Sequence, residues 1–89
     1  MSTTIISDIQ ITPKPKGQLP GEVTVTVTAV IANRDGQTPK AYFPAQGGTA
    51  MTNSSGDTWT ASNTEMYDGS EKTIAIECNG VKKHKNFKP

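Results

Sequence analysis

The one histidine of the chain, His84, lies within Lys82-Lys83-His84-Lys85. A nucleophile needs a base to activate it, most often a histidine. A lysine-rich neighbourhood makes His84 a poor base. The one cysteine, Cys78, closes the run Ile74-Ala75-Ile76-Glu77-Cys78 and shares its alternation with Ile74 and Ile76. That pattern reads as a small buried hydrophobe, not a reactive thiol. The serines include no Gly-x-Ser-x-Gly elbow. No catalytic residue is expected. Zinc would need three or four His, Cys or acidic ligands, and one His and one Cys six positions apart cannot supply them. Calcium would need several clustered oxygens. Asp57, Glu65, Asp68 and Glu71 flank the Trp59 segment and read as solvated turn carboxylates, with a cation bridging the two loops as the alternative. No cofactor or metal is expected.

The remaining chemistry is recognition. Residues 1–80 carry five basic and eight acidic side chains, whereas residues 81–89 carry Lys82, Lys83, Lys85 and Lys88 and no acid. The overall charge is only +1, so the chain is dipolar, with its positive end at the C-terminus. Such an end can meet an acidic protein surface or phosphates. Only Phe87 offers an aromatic platform there, which argues against nucleic acid. Lysines on an edge strand also guard against edge-to-edge aggregation. Tyr42 alternates with Ala41 and Phe43 beside Pro39 and Pro44, so it is expected to be exposed on an edge, where an aromatic can anchor a partner. The expected partner-binding residues are therefore Tyr42, Lys82, Lys83, His84, Lys85 and Lys88. Trp59 reads as a core plug, with sugar stacking as the alternative. Asn53-Ser54-Ser55 fits a glycosylation acceptor. Met1 to Asp8 lacks a basic region and a long apolar stretch, so no secretory signal is expected. No apolar run approaches the ~18 residues of a membrane helix.

The elements that must hold these residues read as strands. The chain has 89 residues, enough for one domain with a small core. Thirteen threonines against one leucine favour the pleated surface of a sheet. In Glu22 to Asn33, Val23, Val25, Val27, Ala29 and Ile31 alternate with Thr24, Thr26 and Thr28, the period of a half-buried strand. Thr4 to Thr12 places Ile5, Ser7, Ile9 and Ile11 on one face, with room for a kink near Ser7-Asp8. Pro13 and Pro15 are expected to stop that strand, since proline cannot donate to a ladder. Lys40 to Ala45 and Thr49 to Thr52 are short strands. Asn53 to Gly56 is a loop. Asp57 to Asn63 turns Trp59 and Ala61 inward, and Lys72 to Asn79 turns Ile74, Ile76 and Cys78 inward. Asn79-Gly80 is the strongest hairpin dipeptide in the chain. Val81 to Phe87 returns as a weak, basic edge strand with Val81, Lys83, Lys85 and Phe87 as its inward set. Seven strands with a turn signal about every ten residues favour a sandwich or small barrel.

From Gly56 onward the chain resembles a known family. Gly56-Asp57-Thr58-Trp59-Thr60-Ala61, Asp68-Gly69, Lys72-Thr73-Ile74-Ala75-Ile76-Glu77-Cys78 and Gly80 are similar to the second half of bacterial and phage immunoglobulin-like modules. Gly21 to Val27 resembles their early strand, so the resemblance covers residues 20 to 80. Lys72 stands where an aromatic is usual, and the usual acidic ending is replaced by a basic one. The resemblance implies an all-β immunoglobulin-like sandwich, one domain over residues 1–89. Residues 13–20 would cross between sheets or form a flexible lead, and residues 82–89 a basic tail. The expected core is Ile9, Ile11, Val23, Val25, Val27, Ile31, Phe43, Trp59, Ile74 and Ile76. The implied function is a non-enzymatic phage virion component, a capsid-decoration or tail-associated protein assembled in the host cytoplasm, with a capsid or tail protein as partner. The alternatives are a module of a larger bacterial surface adhesin, a small inhibitor docking on an acidic host protein, and a carbohydrate-binding module.

Overall fold

The computed structural model describes residues 3–17 and 19–89. It is all-β among those residues and contains eight strands. These are β1 (Ile5–Pro15), β2 (Glu22–Ala32), β3 (Lys40–Tyr42), β4 (Gly48–Ala50), β5 (Thr52–Ser55), β6 (Thr58–Met66), β7 (Lys72–Cys78) and β8 (Val81–Phe87). They form two four-stranded sheets, in the orders β1-β2-β6-β5 and β4-β3-β7-β8, with every pairing antiparallel. The two sheets pack face to face over one core as a β-sandwich. The core tryptophan is on β6, and the single cysteine leaves the two sheets without a disulfide between them.

Strand β2 behaves as its alternation predicts. Val23, Val25, Val27, Ala29 and Ile31 are buried, and the threonines between them are half-buried on the outer face. They meet Ile74, Ile76 and Cys78 of β7, Trp59 and Ala61 of β6, and Phe43 in one core. Burying a side chain of Val or Ile size contributes about 1.5–3 kcal/mol, so this shared layer is the main force holding the sheets together.

Strand β1 differs from the sequence reading in two ways. Its register against β2 shifts between Ser7 and Gln10, where Asp8 takes a left-handed backbone (φ 51°). This bulge reverses the inside–outside alternation. Ile6 is therefore buried, Ile5 is exposed, and Ile9 and Ile11 are only half-buried at the margin of the core. The strand also continues through Pro13 and Pro15, paired with Val25 and Val23. Those prolines do not stop it because β1 is an edge strand, where a missing N–H is tolerated. The described residues of this segment, 13–17 and 19–20, accordingly stay with one sheet instead of crossing between two: Lys16 N–H donates to the Glu22 carbonyl at 3.0 Å as the chain returns into β2. Gln18, within the expected flexible segment, lies outside the described residues.

The chain crosses between the sheets at β2–β3, β4–β5 and β6–β7. Met51, buried between β4 and β5, donates its N–H to the Pro39 carbonyl at 2.9 Å. Asn53, Ser54 and Ser55 then form β5 on the edge of the other sheet, not a loop. At Gly21 only glycine fits: a Cβ there would stand 2.8 Å from the Tyr67 carbonyl, and φ is +81°. The Tyr67 N–H donates to Gly21 across the same contact at 2.8 Å. Tyr67 then packs edge-on against Phe87, with ring centroids 5.9 Å apart.

Candidate binding face

The outer face of β4-β3-β7-β8 gathers several of the side chains singled out by the sequence. The register stacks Tyr42, Ala75 and His84 in one row across β3, β7 and β8, and Lys40, Glu77 and Lys82 in the next. The Tyr42 hydroxyl donates to Glu77 Oε1 at 3.2 Å. The Lys82 ammonium stands 4.7 Å from the centre of the Tyr42 ring, a cation–π contact. Ala75, between Tyr42 and His84 in its row, is only 7% exposed although it points outward. The hydrogen bond to Glu77 is the main cause of a raised Tyr42 pKa, followed by desolvation and the Glu77 charge. Gly48 on β4 approaches the Tyr42 ring so closely that a Cβ would stand 3.0 Å from it. The ring is thus held on three sides and presents its remaining surface outward.

Tyr42 is not on an edge, contrary to the sequence expectation, because β4 pairs with the far side of β3. It is half-buried, not free. The structure also divides the six expected partner-binding residues. Tyr42, Lys82 and His84 share the outer face. Lys83 and Lys85 pair with Ile76 and Ile74, so they belong to the inner side of β8, yet both are exposed. Of the inward set read from the sequence, only Phe87 is buried and Val81 half-buried. The reason is position: β8 ends its sheet, so the middle of its inner side lies at the open margin of the sandwich. Lys88 lies beyond β8 and is exposed. Glu77 and Lys40 were not read as functional. Their outward parity was available in the sequence, but their placement beside Tyr42 depends on which strands pair.

The face continues into a cleft of about 400 Å³ at one end of the sandwich, between Gln37–Lys40 and Glu77–Gly80. Asn79, which lines it, takes a left-handed backbone, as do Asn33 and Asp35 in the loop between β2 and β3. Asn79 and Gly80 (φ 50° and 81°) form the tight β7–β8 turn expected of this dipeptide. Asn79 Nδ2 donates to Thr4 Oγ1 at 3.1 Å, and Thr4 Oγ1 donates to the Asn33 carbonyl at 2.6 Å. This chain ties β1, the β2–β3 loop and the β7–β8 turn together. Cys78 borders the cleft with its thiol buried; desolvation pushes its pKa up, partly opposed by Arg34. A raised pKa suppresses the thiolate, so the group is a weak nucleophile. Arg34 itself stacks 4.4 Å from the centre of the Trp59 ring. Trp59 is buried as expected of a core plug.

The four acidic residues considered for calcium do not converge. Glu65 is buried, accepting from the Ala45 N–H at 3.1 Å and from Asn63 Nδ2 at 2.5 Å. Asp68 accepts from both the hydroxyl and the N–H of Ser70 and lies 3.7 Å from Lys72. Those contacts, the Ser70 hydroxyl first, hold the Asp68 pKa down to about 2. Among the described residues, no three metal-ligating side chains cluster. In comparisons with known proteins, no family model, no curated protein and no solved structure matches this chain.

Proposed function

We propose that this chain is a non-enzymatic interaction protein that docks a protein partner on the outer face of β4-β3-β7-β8. The observation that carries this reading is the convergence of Tyr42, Lys82 and His84 on one face, where Tyr42 is already positioned by Glu77 and Lys82. An aromatic whose rotamer is held before binding loses little entropy when a partner covers it, which suits it as an anchor. The chemistry around His84 supports a binding role over catalysis, since its row neighbours are Ala75 and Tyr42.

The specific reading is a small phage virion component, a capsid-decoration or tail-associated immunoglobulin-like protein. Its support is the resemblance over residues 20 to 80, together with a strand order that fits such modules. A second reading, an inhibitor docking on an acidic host protein, draws on the four lysines of residues 82–88.

Salt separates the two. Tagged protein is incubated with purified virions and with host lysate, at low and high salt. The virion reading expects capture of a capsid or tail protein that survives high salt and is lost in Tyr42→Ala. Capture of a single host protein that is released by salt, and unaffected by Tyr42→Ala, would replace it with the inhibitor.

A further inference from the structure

We propose that the outer edge of β8 accepts an acidic, extended segment of a partner protein as an added strand, completing the sheet beyond β8. The proposal deepens the docking-face reading and rests on it.

The backbone supplies the first argument. A two-residue turn at Asn79-Gly80 makes Cys78 and Val81 a hydrogen-bonded pair, and such pairs alternate along an antiparallel ladder. Val81, Lys83, Lys85 and Phe87 therefore aim their N–H and C=O at β7. Lys82, His84 and Asn86 aim theirs at the open edge, each with one donor and one acceptor. The pairing of β8 with β7 runs from Val81 to Phe87 without a register shift, and the strand holds no proline. The other edges are poorer templates. β4 has three residues, β5 has four and an irregular register, and β1 carries a bulge and two prolines. Short, bulged or proline-bearing edges resist strand addition, and a regular edge invites it.

Charge chooses the occupant. Residues 81–89 carry four lysines and no acid. A second copy of β8 paired about His84 would set Lys83 opposite Lys85 and Lys82 opposite Asn86, and directly opposed like charges destabilise a pair. An acidic strand reverses that sign at every position. It would place carboxylates against Lys83 and Lys85 on one side of the sheet, or against Lys82 and His84 beside Tyr42 on the other. Nucleic acid could satisfy the lysines but not the alternating donors and acceptors of the edge.

The test uses the whole chain and a blocked ten-residue peptide alternating Glu and Thr, followed by calorimetry and by amide hydrogen exchange. Binding should slow exchange at Lys82, His84 and Asn86 above all other amides. His84→Pro removes one outward N–H and leaves the β7 ladder intact, so the peptide should bind at least tenfold more weakly. His84→Thr keeps that N–H and should bind within about twofold of the original. Lys83→Ala with Lys85→Ala should weaken binding several-fold and flatten its salt dependence. Should His84→Pro fail to fold, the peptide N-methylated on the amides that face β8 probes the same bonds with the protein unaltered, and should lose at least tenfold. Equal binding by His84→Pro or by the methylated peptide would overturn strand addition. So would an oligothymidylate that competes fully with the peptide and is indifferent to His84→Pro. No peptide binding, with virion capture still lost in Tyr42→Ala, would also overturn it while the docking face stands. Peptide binding that His84→Pro abolishes, with capture indifferent to Tyr42→Ala, would support the edge and overturn the face.

Discussion

The outer face of β1-β2-β6-β5 is a hydroxyl surface, whereas that of β4-β3-β7-β8 is charged and aromatic. On the first, Thr24 bonds Thr64 and Thr26 bonds Ser62 across β2 and β6, each at 2.8 Å. These pairs are satisfied by their own neighbours and carry no charge, so they leave little for a partner to gain. On the second, Tyr42, Glu77 and Lys82 form a small network whose members keep exposed surface, and β8 leaves a basic backbone edge beside it. Both faces lie over the same core. The contrast teaches that a sandwich can separate roles: the inner layer supplies stability to both sheets, and the outer faces are free to differ.

The largest expected effect removes what the faces share. Ile76→Ala should lower stability by about 2–5 kcal/mol, the usual range for truncating a fully buried isoleucine. It should weaken both sheets together, as read by chemical denaturation. A loss below about 1 kcal/mol would mean that the layers are not packed on this residue. Next comes the end that ties the sheets. Asn79→Ala deletes the bond to Thr4 and puts alanine at a positive φ, so a loss of about 1–2 kcal/mol is expected.

Smaller effects separate the faces. Thr26→Val with Ser62→Ala should cost no more than about 1 kcal/mol and leave virion capture unchanged. Tyr42→Phe loses only the hydrogen bond to Glu77 and should leave stability nearly unchanged, yet should weaken capture. If the hydroxyl pair proves the more important for capture, the assignment of roles is reversed. The smallest effect is electrostatic. The Asp68 carboxyl should titrate near 2 by NMR, and Ser70→Ala should return it toward the ordinary 3.8. Because the folded value is the lower one, its contribution to stability is present above pH 3.8 and is lost as pH falls toward 2. Asp68 is solvent-exposed, so the thermal midpoint should move only slightly across that window.

Much of the fold is legible in local pattern. The Val–Thr alternation of β2, the inward Trp59 and Ala61, the Ile74-Ile76-Cys78 stripe and the Asn79-Gly80 turn all follow from the two-residue period of a strand and the φ preferences of Asn and Gly. Where the reading of β1 fails, one residue is responsible. The kink expected near Ser7-Asp8 is present, and Asp8 in a left-handed backbone there reverses the parity of every residue on one side of it, which the expected face of Ile5, Ser7, Ile9 and Ile11 ran straight through. Pro13 and Pro15 read as stops because a central strand would not hold them; that β1 is an edge is a fact about its neighbours. The candidate face was half legible. The basic β8 edge stood out from its composition and the hairpin turn that precedes it, but the partners of Tyr42 did not.

The amino-acid sequence by itself determined which residues point to the same side of the regular strands β2, β6, β7 and β8, where the tight turns fall, and that positive charge collects in the last nine residues. Those properties depend on covalent geometry and on neighbours a few positions away. Only the tertiary structure decided that Tyr42 lies inside its sheet and not on its edge, that Glu77, 35 positions away, holds its hydroxyl, and that Lys82 covers its ring. It also decided that Lys82 and His84 share the face of Tyr42 while Lys83 and Lys85 do not. Strand order and register are settled when distant segments close over a common core, and many pairings satisfy the same alternation until that core selects one.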